Sequence, residues 1–250
     1  MEDKSKKPVW RDNYTVRSYE VNRMQVIQFP NLCHYLQETA WHHAENLDFG
    51  YFDLEKKGQM WVLARLVIEM ETFPRWDDSI TVETWPKGTE RLFALRDYVI
   101  SDKEGSRLGA AASFWLLLDS ASKKPLRLTQ FRHDVPLSED RHGIDESYSK
   151  IPSLEPNELG TPSLREVRFS DLDQNNHVNY VQYIRGIIDT YPLQYHSGHT
   201  IRRFEINYMA EAVYGDNMEI FSADRPEYTL HSVKRGGVGE ELCRAKIYWS

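Results

Sequence analysis

Cysteine is scarce in this chain: 250 residues hold two, Cys33 and Cys243, far apart and outside any Cys-x-x-Cys pairing. That scarcity excludes a disulfide framework and a thiolate metal site, and it favours a reducing compartment, here the cytoplasm. Long apolar runs are also missing. No stretch approaches the ~18 consecutive apolar residues of a membrane span. The opening MEDKSKKPVWRD carries charge but no apolar core, so neither a span nor an export signal is expected. Nor is there a surplus of positive charge. The net charge of −7 argues against nucleic acid as a partner, because phosphate attraction scales with the cations presented. An acidic partner would need a local patch, for which the candidates are Lys123, Lys124, Arg127 and Arg132 with Arg185, Arg202 and Arg203.

What the chain has is bulk. Hydrophobic residues make up 40%, with seven Trp, fourteen Tyr and ten Phe, enough large side chains for a substantial core. They are arranged in one plan used twice. In the first half, a strand-like YTVRSYEV (14–21) leads through a turn to residues 29–47, where Leu32, Tyr35, Leu36, Thr39, Ala40, His43, Ala44 and Leu47 recur at helical spacing, with a stop near Gly50. Strand-like runs follow at 60–70, where Val62, Ala64, Leu66, Ile68 and Met70 keep one face apolar at period two, and at 78–86, 91–101 and 108–119, broken at Pro74, Lys87–Gly88 and Lys103–Gly105. They are expected to pair as hairpins. Pro, Ser, Gly and acid dominate 133–162, so a linker at 136–162 is expected to divide a domain at 1–135 from one at 163–250. The second half starts with strand 163–170 and continues with a helix whose face holds Val181, Ile184, Ile188 and Tyr191, ended by Pro192. Strands follow at 200–210, 216–225, 228–237 and 241–249. The helices align at an offset near 148, with Tyr35 over Tyr183. The fold class is α+β, a long antiparallel sheet burying one face against a helix, twice over.

Between strand and helix in the second half lies DLDQNNHVNY (171–180), with two acids, four amides and a histidine in ten positions. Asp171-x-Asp173-x-Asn175 copies the opening of a calcium loop, but the Gly and Glu such a loop requires downstream are replaced by Asn176 and Gln182. A helix cap by Asn175 or Asn176 is the plain alternative. Yet Asp173, Asn175 and His177 alternate, so in an extended segment they converge on one side near a helix N-terminus, an arrangement suited to acyl chemistry. His42 and His43 point to different helix faces, His43 to the sheet and His42 to water, so no metal site is read there. Gly236-Gly237-Val238-Gly239 reads as a hairpin turn.

DLDQNNHVNYVQYI resembles the D-L-D-x-N-x-H-V-N-N-x-x-Y-I segment of plant and bacterial acyl-acyl carrier protein thioesterases. RSYEV (17–21), LQETAWHHA (36–44), residues 60–86 and ASFWLLLDSASKKPLRL (112–128) are similar to the same family, in collinear order. The resemblance implies a tandem hotdog, each unit a long antiparallel sheet wrapped around a central helix. It also implies hydrolysis of fatty acyl thioesters of acyl carrier protein, no cofactor or metal, and Asp173, Asn175, His177 and Glu211 as the catalytic set. An acyl tunnel in the first hotdog would be lined by Leu36, Ala40, Trp61, Val62, Ala64, Leu66 and Trp115, although the same residues could be plain core. Where plant members have cysteine after the glutamate, this chain has Ala212, so the expected nucleophile is water or a carboxylate. Glu211 and His177 would hold and deprotonate the water, Asp173 would orient the site, and Asn175 with helix-start amides would bind the oxyanion. Acyl-CoA hydrolysis and a non-catalytic acyl-binding module are the alternatives, and either a monomer or a homodimer is allowed.

Overall fold

The computed structural model describes residues 5–144 and 150–250. The chain divides into two compact units, Met1–Ala64 with Ile68–Glu146, and Arg65–Val67 with Ser147–Ser250.

The first unit runs β1 (Trp10–Thr15), α1 (Phe29–Asn46), α2 (Tyr51–Glu55), β2 (Gln59–Met70), β3 (Ser79–Glu90), β4 (Phe93–Asp102), β5 (Arg107–Asp119) and α3 (Thr129–Asp134). Its strands lie in the order β1-β3-β4-β5-β2. Thus β3–β4 and β4–β5 are antiparallel hairpins as expected, whereas β2 sits beside β5 and β1 beside β3. Helix α1 buries Leu32, Tyr35, Leu36, Thr39, Ala40 and His43, the face its periodicity marks. Leu47 caps the helix, and Asp48 in a left-handed conformation (φ 61°) turns the chain away, two residues before the Gly50 stop read from the sequence. Gly50 instead begins α2.

Three sequence expectations fail here for identifiable reasons. The alternation at 14–21 does not become a strand, because the Arg17 N–H and the Glu20 carboxylate (2.7 Å) fold it into a turn; the strand is Trp10–Thr15. Lys87–Gly88 is not a break: β3 absorbs Pro86 and Gly88 in a register shift, and the chain reverses at Arg91 (φ 54°). In β2, Leu63 is buried while Val62 and Ala64 are half-buried, so strict period-two burial does not hold.

The second unit repeats the plan with β6 (Ser163–Glu166), α4 (Tyr180–Ile188), α5 (Tyr195–Gly198), β7 (Ile201–Tyr208), β8 (Asn217–Asp224), β9 (Thr229–Arg235) and β10 (Glu241–Trp249), in the order β7-β10-β9-β8-β6. In strand β10, Cys243, Ala245 and Ile247 are fully buried at alternate positions, with Leu242 buried beside them and Trp249 half-buried. Helix α4 buries Val181, Tyr183, Ile184 and Ile187, leaving Ile188 half-buried and ending before Pro192 is reached. Strand β6 stops at Glu166, and a helical turn at Phe169–Asp171 takes up the rest of the expected 163–170 strand. Segments on both sides of residues 145–149 contribute to cores: Val135 and Ile144 are buried in the first unit, Ile151 and Leu154 in the second. The turn at Gly237 (φ 73°) and Gly239 (φ 75°) joins β9 to β10, as the glycines indicated.

Candidate active site

Residues 171–180 form a tight loop. Leu172 and Val178 bridge antiparallel, Asp173 N–H donates to the His177 carbonyl (2.9 Å), and Asn176 takes the left-handed conformation (φ 60°) that closes the turn. The segment is therefore not extended, and Asp173, Asn175 and His177 do not simply alternate along one face. Instead the Asp173 carboxylate accepts N–H bonds from Asn175 (2.8 Å) and His177 (3.4 Å), so its oxygen organises the loop. Asn175 lies exposed at the turn. The helix cap is neither Asn175 nor Asn176 but Asn179, whose side chain accepts from the Val181 N–H at 3.0 Å. Asp171, first of the would-be calcium ligands, is buried and paired with Arg165 (2.7 Å), and Arg165 also reaches the carbonyl and side-chain oxygens of Gln182 on α4.

The loop delivers His177 to Glu211. Nε2 of His177 stands 3.3 Å from Oε2 of Glu211, with 24% and 41% of the two side chains exposed, so water reaches both. Glu211 belongs to the loop after β7, just past the end of the strand expected at 200–210. Backbone bonds fix that loop: Val178 N–H donates to the Ala212 carbonyl (2.9 Å), and His177 bridges Val213. Ala212 N–H donates to the phenolic oxygen of Tyr183 (2.8 Å), and burial raises the Tyr183 pKa, keeping its hydroxyl protonated. On the other side, Arg235 Nη2 donates to the Glu211 carbonyl at 2.7 Å. Tyr183 and Arg235 carry no local sequence signal, since only tertiary contact joins them to the site.

Three of the amides at the helix start, where an oxyanion was expected to bind, are already engaged. Val181 N–H is capped, Asn179 N–H donates to the Asp171 carbonyl, and Val178 N–H donates to Ala212. The exposed Asn175 side chain is a donor from that expectation to which no such bond is assigned. Cys243 is closer to the site than its sequence position suggests: it pairs with Tyr208 of β7, whose ring meets that of Tyr183 edge-on at 5.7 Å. Full burial raises its thiol pKa well above the ordinary value, so it holds no reactive thiolate.

The first unit contains the same frame without the reactive groups. Asn22 N–H donates to the Val26 carbonyl (2.8 Å), Asn22 Oδ1 accepts from Met24 (2.9 Å) and Val26 (3.2 Å), and Gln25 is left-handed (φ 62°). Val26 bridges Arg75 as His177 bridges Val213, and Ile27 N–H donates to Pro74 as Val178 does to Ala212. Thus Asn22, Met24, Val26 and Phe73 occupy the places of Asp173, Asn175, His177 and Glu211. The two loops correspond at 173 − 22 = 151, which corrects the helix alignment near 148 read from the sequence.

Of the tunnel candidates, Leu36, Ala40 and Leu66 are buried, whereas Trp61, Val62, Ala64 and Trp115 are half-buried. Trp61 and Trp115 pack against a core cluster that includes Phe49, Leu117 and Phe131, and Trp61 donates to the Phe49 carbonyl (2.9 Å). His43 is buried against Arg96 of β4 (3.0 Å), facing the sheet as expected. His42 is half-buried and held by Asp12 (2.8 Å) rather than simply wet. Among the basic candidates, Lys123, Lys124, Arg127 and Arg132 are exposed in the first unit and Arg202 in the second. Arg203 is committed to Glu205 at 2.7 Å, and Arg185 is half-buried, so neither is a simple surface cation.

Comparison with known proteins identifies the family and the fold. The family described as acyl-ACP thioesterase N-terminal domain matches residues 7–132, and the acyl-ACP thioesterase C-terminal domain matches 155–250. The chain is 30% identical over 280 residues to the chloroplastic oleoyl-acyl carrier protein thioesterase 2 of Arabidopsis thaliana, covering 96% of this chain and 76% of that protein. A crystal structure of an acyl-ACP thioesterase from Bacteroides thetaiotaomicron superposes with a TM-score of 0.89 at 28% identity, covering 97% of this chain and 98% of the other. For the fold alone, the 12:0-ACP thioesterase of Umbellularia californica superposes with a TM-score of 0.83 at 23% identity, covering 98% of each chain. The tandem hotdog expected from the motifs is thus the fold present, and the chain belongs to the acyl-ACP thioesterase family.

Proposed function

We propose that the chain hydrolyses fatty acyl-acyl carrier protein to free fatty acid and carrier protein through the His177–Glu211 pair. The observation that carries this reading is the 3.3 Å contact between imidazole and carboxylate, half-exposed and fixed by backbone bonds on both sides. The pair removes a proton from a water molecule as the water oxygen attacks the thioester carbonyl, and the Asn175 side chain is the candidate donor to the oxyanion. Such a donor is worth about 3–4 kcal/mol in acyl transfer. Collapse of the tetrahedral adduct breaks the C–S bond, and the departing thiolate, already a good leaving group, takes up the proton. Asp173 acts by holding the loop that presents His177. Ala212 after the glutamate and the buried Cys243 leave no thiol to serve as nucleophile.

The acidic carrier is read as meeting the exposed cations Lys123, Lys124, Arg127 and Arg132 or Arg202, each within its own unit. The same reading includes a bacterial source, a cytoplasmic location in keeping with two buried thiols outside any disulfide, and a monomer or homodimer. The test is product analysis by mass spectrometry with a panel of acyl-carrier-protein and acyl-CoA thioesters, run on the parent and on Glu211→Ala and His177→Ala. Turnover is expected to fall by orders of magnitude in both variants with an unchanged melting temperature. Parent-level turnover in both would end the assignment, and preference for the CoA thioesters would replace the carrier protein as substrate.

A further inference from the structure

The guanidinium of Arg235, at the end of β9, gives each of its nitrogens a different partner. Nε meets Glu240 Oε2 at 3.0 Å, Nη1 pairs with the Asp216 carboxylate, and Nη2 donates to the Glu211 carbonyl at 2.7 Å. Asp216 in turn accepts the Val213 N–H at 2.9 Å. Both ends of the segment from Glu211 to Asp216 are therefore tied to one side chain, which is only 20% exposed. The carboxylate that meets His177 stands on this segment.

The first unit serves as an internal comparison, because its backbone frame is the same. Asp78 accepts the Arg75 N–H (2.7 Å) as Asp216 accepts Val213, and Val16 donates to the Asp78 carbonyl as Val167 does to Asp216. Two residues further along, Ile80 pairs with Asp102, just as Met218 pairs with Arg235. The residue facing the turn from the neighbouring strand is thus Asp102 in one unit and Arg235 in the other. Asp102 spends its carboxylate on the N–H groups of Glu104 and Ser106. The backbone turn is built in the first unit with an acid at this position; the cation is found where the glutamate is found.

We infer that Arg235 is a positioning residue for hydrolysis: it holds the Glu211 backbone so that the carboxylate meets His177, and it does so through the fork of a guanidinium. This rests on the proposed role of Glu211. A lysine offers one point of charge and cannot serve three acceptors in these directions, so Arg235→Lys is not conservative here.

The experiment measures steady-state kinetics with an acyl-carrier-protein thioester on the parent, Arg235→Ala, Arg235→Lys and Glu211→Gln, alongside thermal unfolding. Expected for both Arg235 variants is a loss in kcat of about tenfold or more, as for other small misplacements of reacting groups, with KM within about twofold. Added guanidinium ion in the millimolar range is expected to restore part of the kcat of Arg235→Ala and none of that of Glu211→Gln; a merely structural role would not respond in this way. Parent-level kcat in Arg235→Ala beside an inactive Glu211→Gln overturns the inference and leaves the hydrolytic reading intact. Parent-level kcat in Glu211→Gln overturns both. If Arg235→Ala does not fold, Arg235→Lys decides: reduced kcat in a folded protein supports the inference, and undiminished kcat overturns it.

Discussion

Asp173 and Asn22 perform one task with different charge. Each presents a side-chain oxygen to two N–H groups of its own loop, at 2.8 and 3.4 Å for the acid and at 2.9 and 3.2 Å for the amide. Geometry of that kind asks for an acceptor, not for an anion. Asp173→Asn is therefore expected to keep the unfolding free energy within about 0.5 kcal/mol of the parent, while Asp173→Ala costs about 1 kcal/mol, both read from urea midpoints. Equal losses in the two variants would show that charge, not hydrogen bonding, holds the turn. Turnover lost by Asp173→Asn at unchanged stability would then report on the carboxylate's field at His177.

Helix α4 is short, yet it braces both loops of the site. Asn179 caps it, Arg165 clasps Gln182 on its first turn, and Tyr183 from its buried face receives the Ala212 N–H. Tyr183→Phe would leave that N–H buried and unsatisfied, at a cost of about 1–3 kcal/mol, and turnover should fall with it because Ala212 adjoins Glu211. A variant matching the parent in both unfolding midpoint and kcat would contradict this. At this scale the sequence is readable wherever periodicity meets burial: α1, β5 and β10 have nearly the bounds their patterns mark. It misleads where a side chain redirects the backbone, as Glu20 does to the alternating 14–21 run, or where a strand tolerates an irregularity, as at Pro86 and Gly88. The pair His177–Glu211 was legible through family resemblance. Tyr183 and Arg235 were not, since strand pairing and helix packing alone bring them to the loop.

Across the molecule, each unit buries one neutral histidine. His43 accepts from Arg96 at Nδ1 and donates from Nε2 to the Lys7 carbonyl; burial first, and the arginine second, lower its pKa to about 3. His231, between Ser222 and Tyr191, is lowered to about 3 by burial. In the unfolded chain both would titrate near 6.5. Above that pH neither state is protonated and the contribution to stability is complete. As pH falls from 6.5 towards 3 the unfolded chain takes up protons that the folded one refuses, so stability declines by up to about 1.4 kcal/mol per pH unit for each histidine. Urea midpoints between pH 7 and 4 should show this decline, with a shallower slope in His43→Gln; an unchanged slope would count against the assignment. The left-handed turns at Gln25 and Asn176 repeat one bend in the two units. That backbone is indifferent to what it carries: an amide, a thioether, an aliphatic side chain and a phenyl ring stand in the first unit where the second presents Asp173, Asn175, His177 and Glu211.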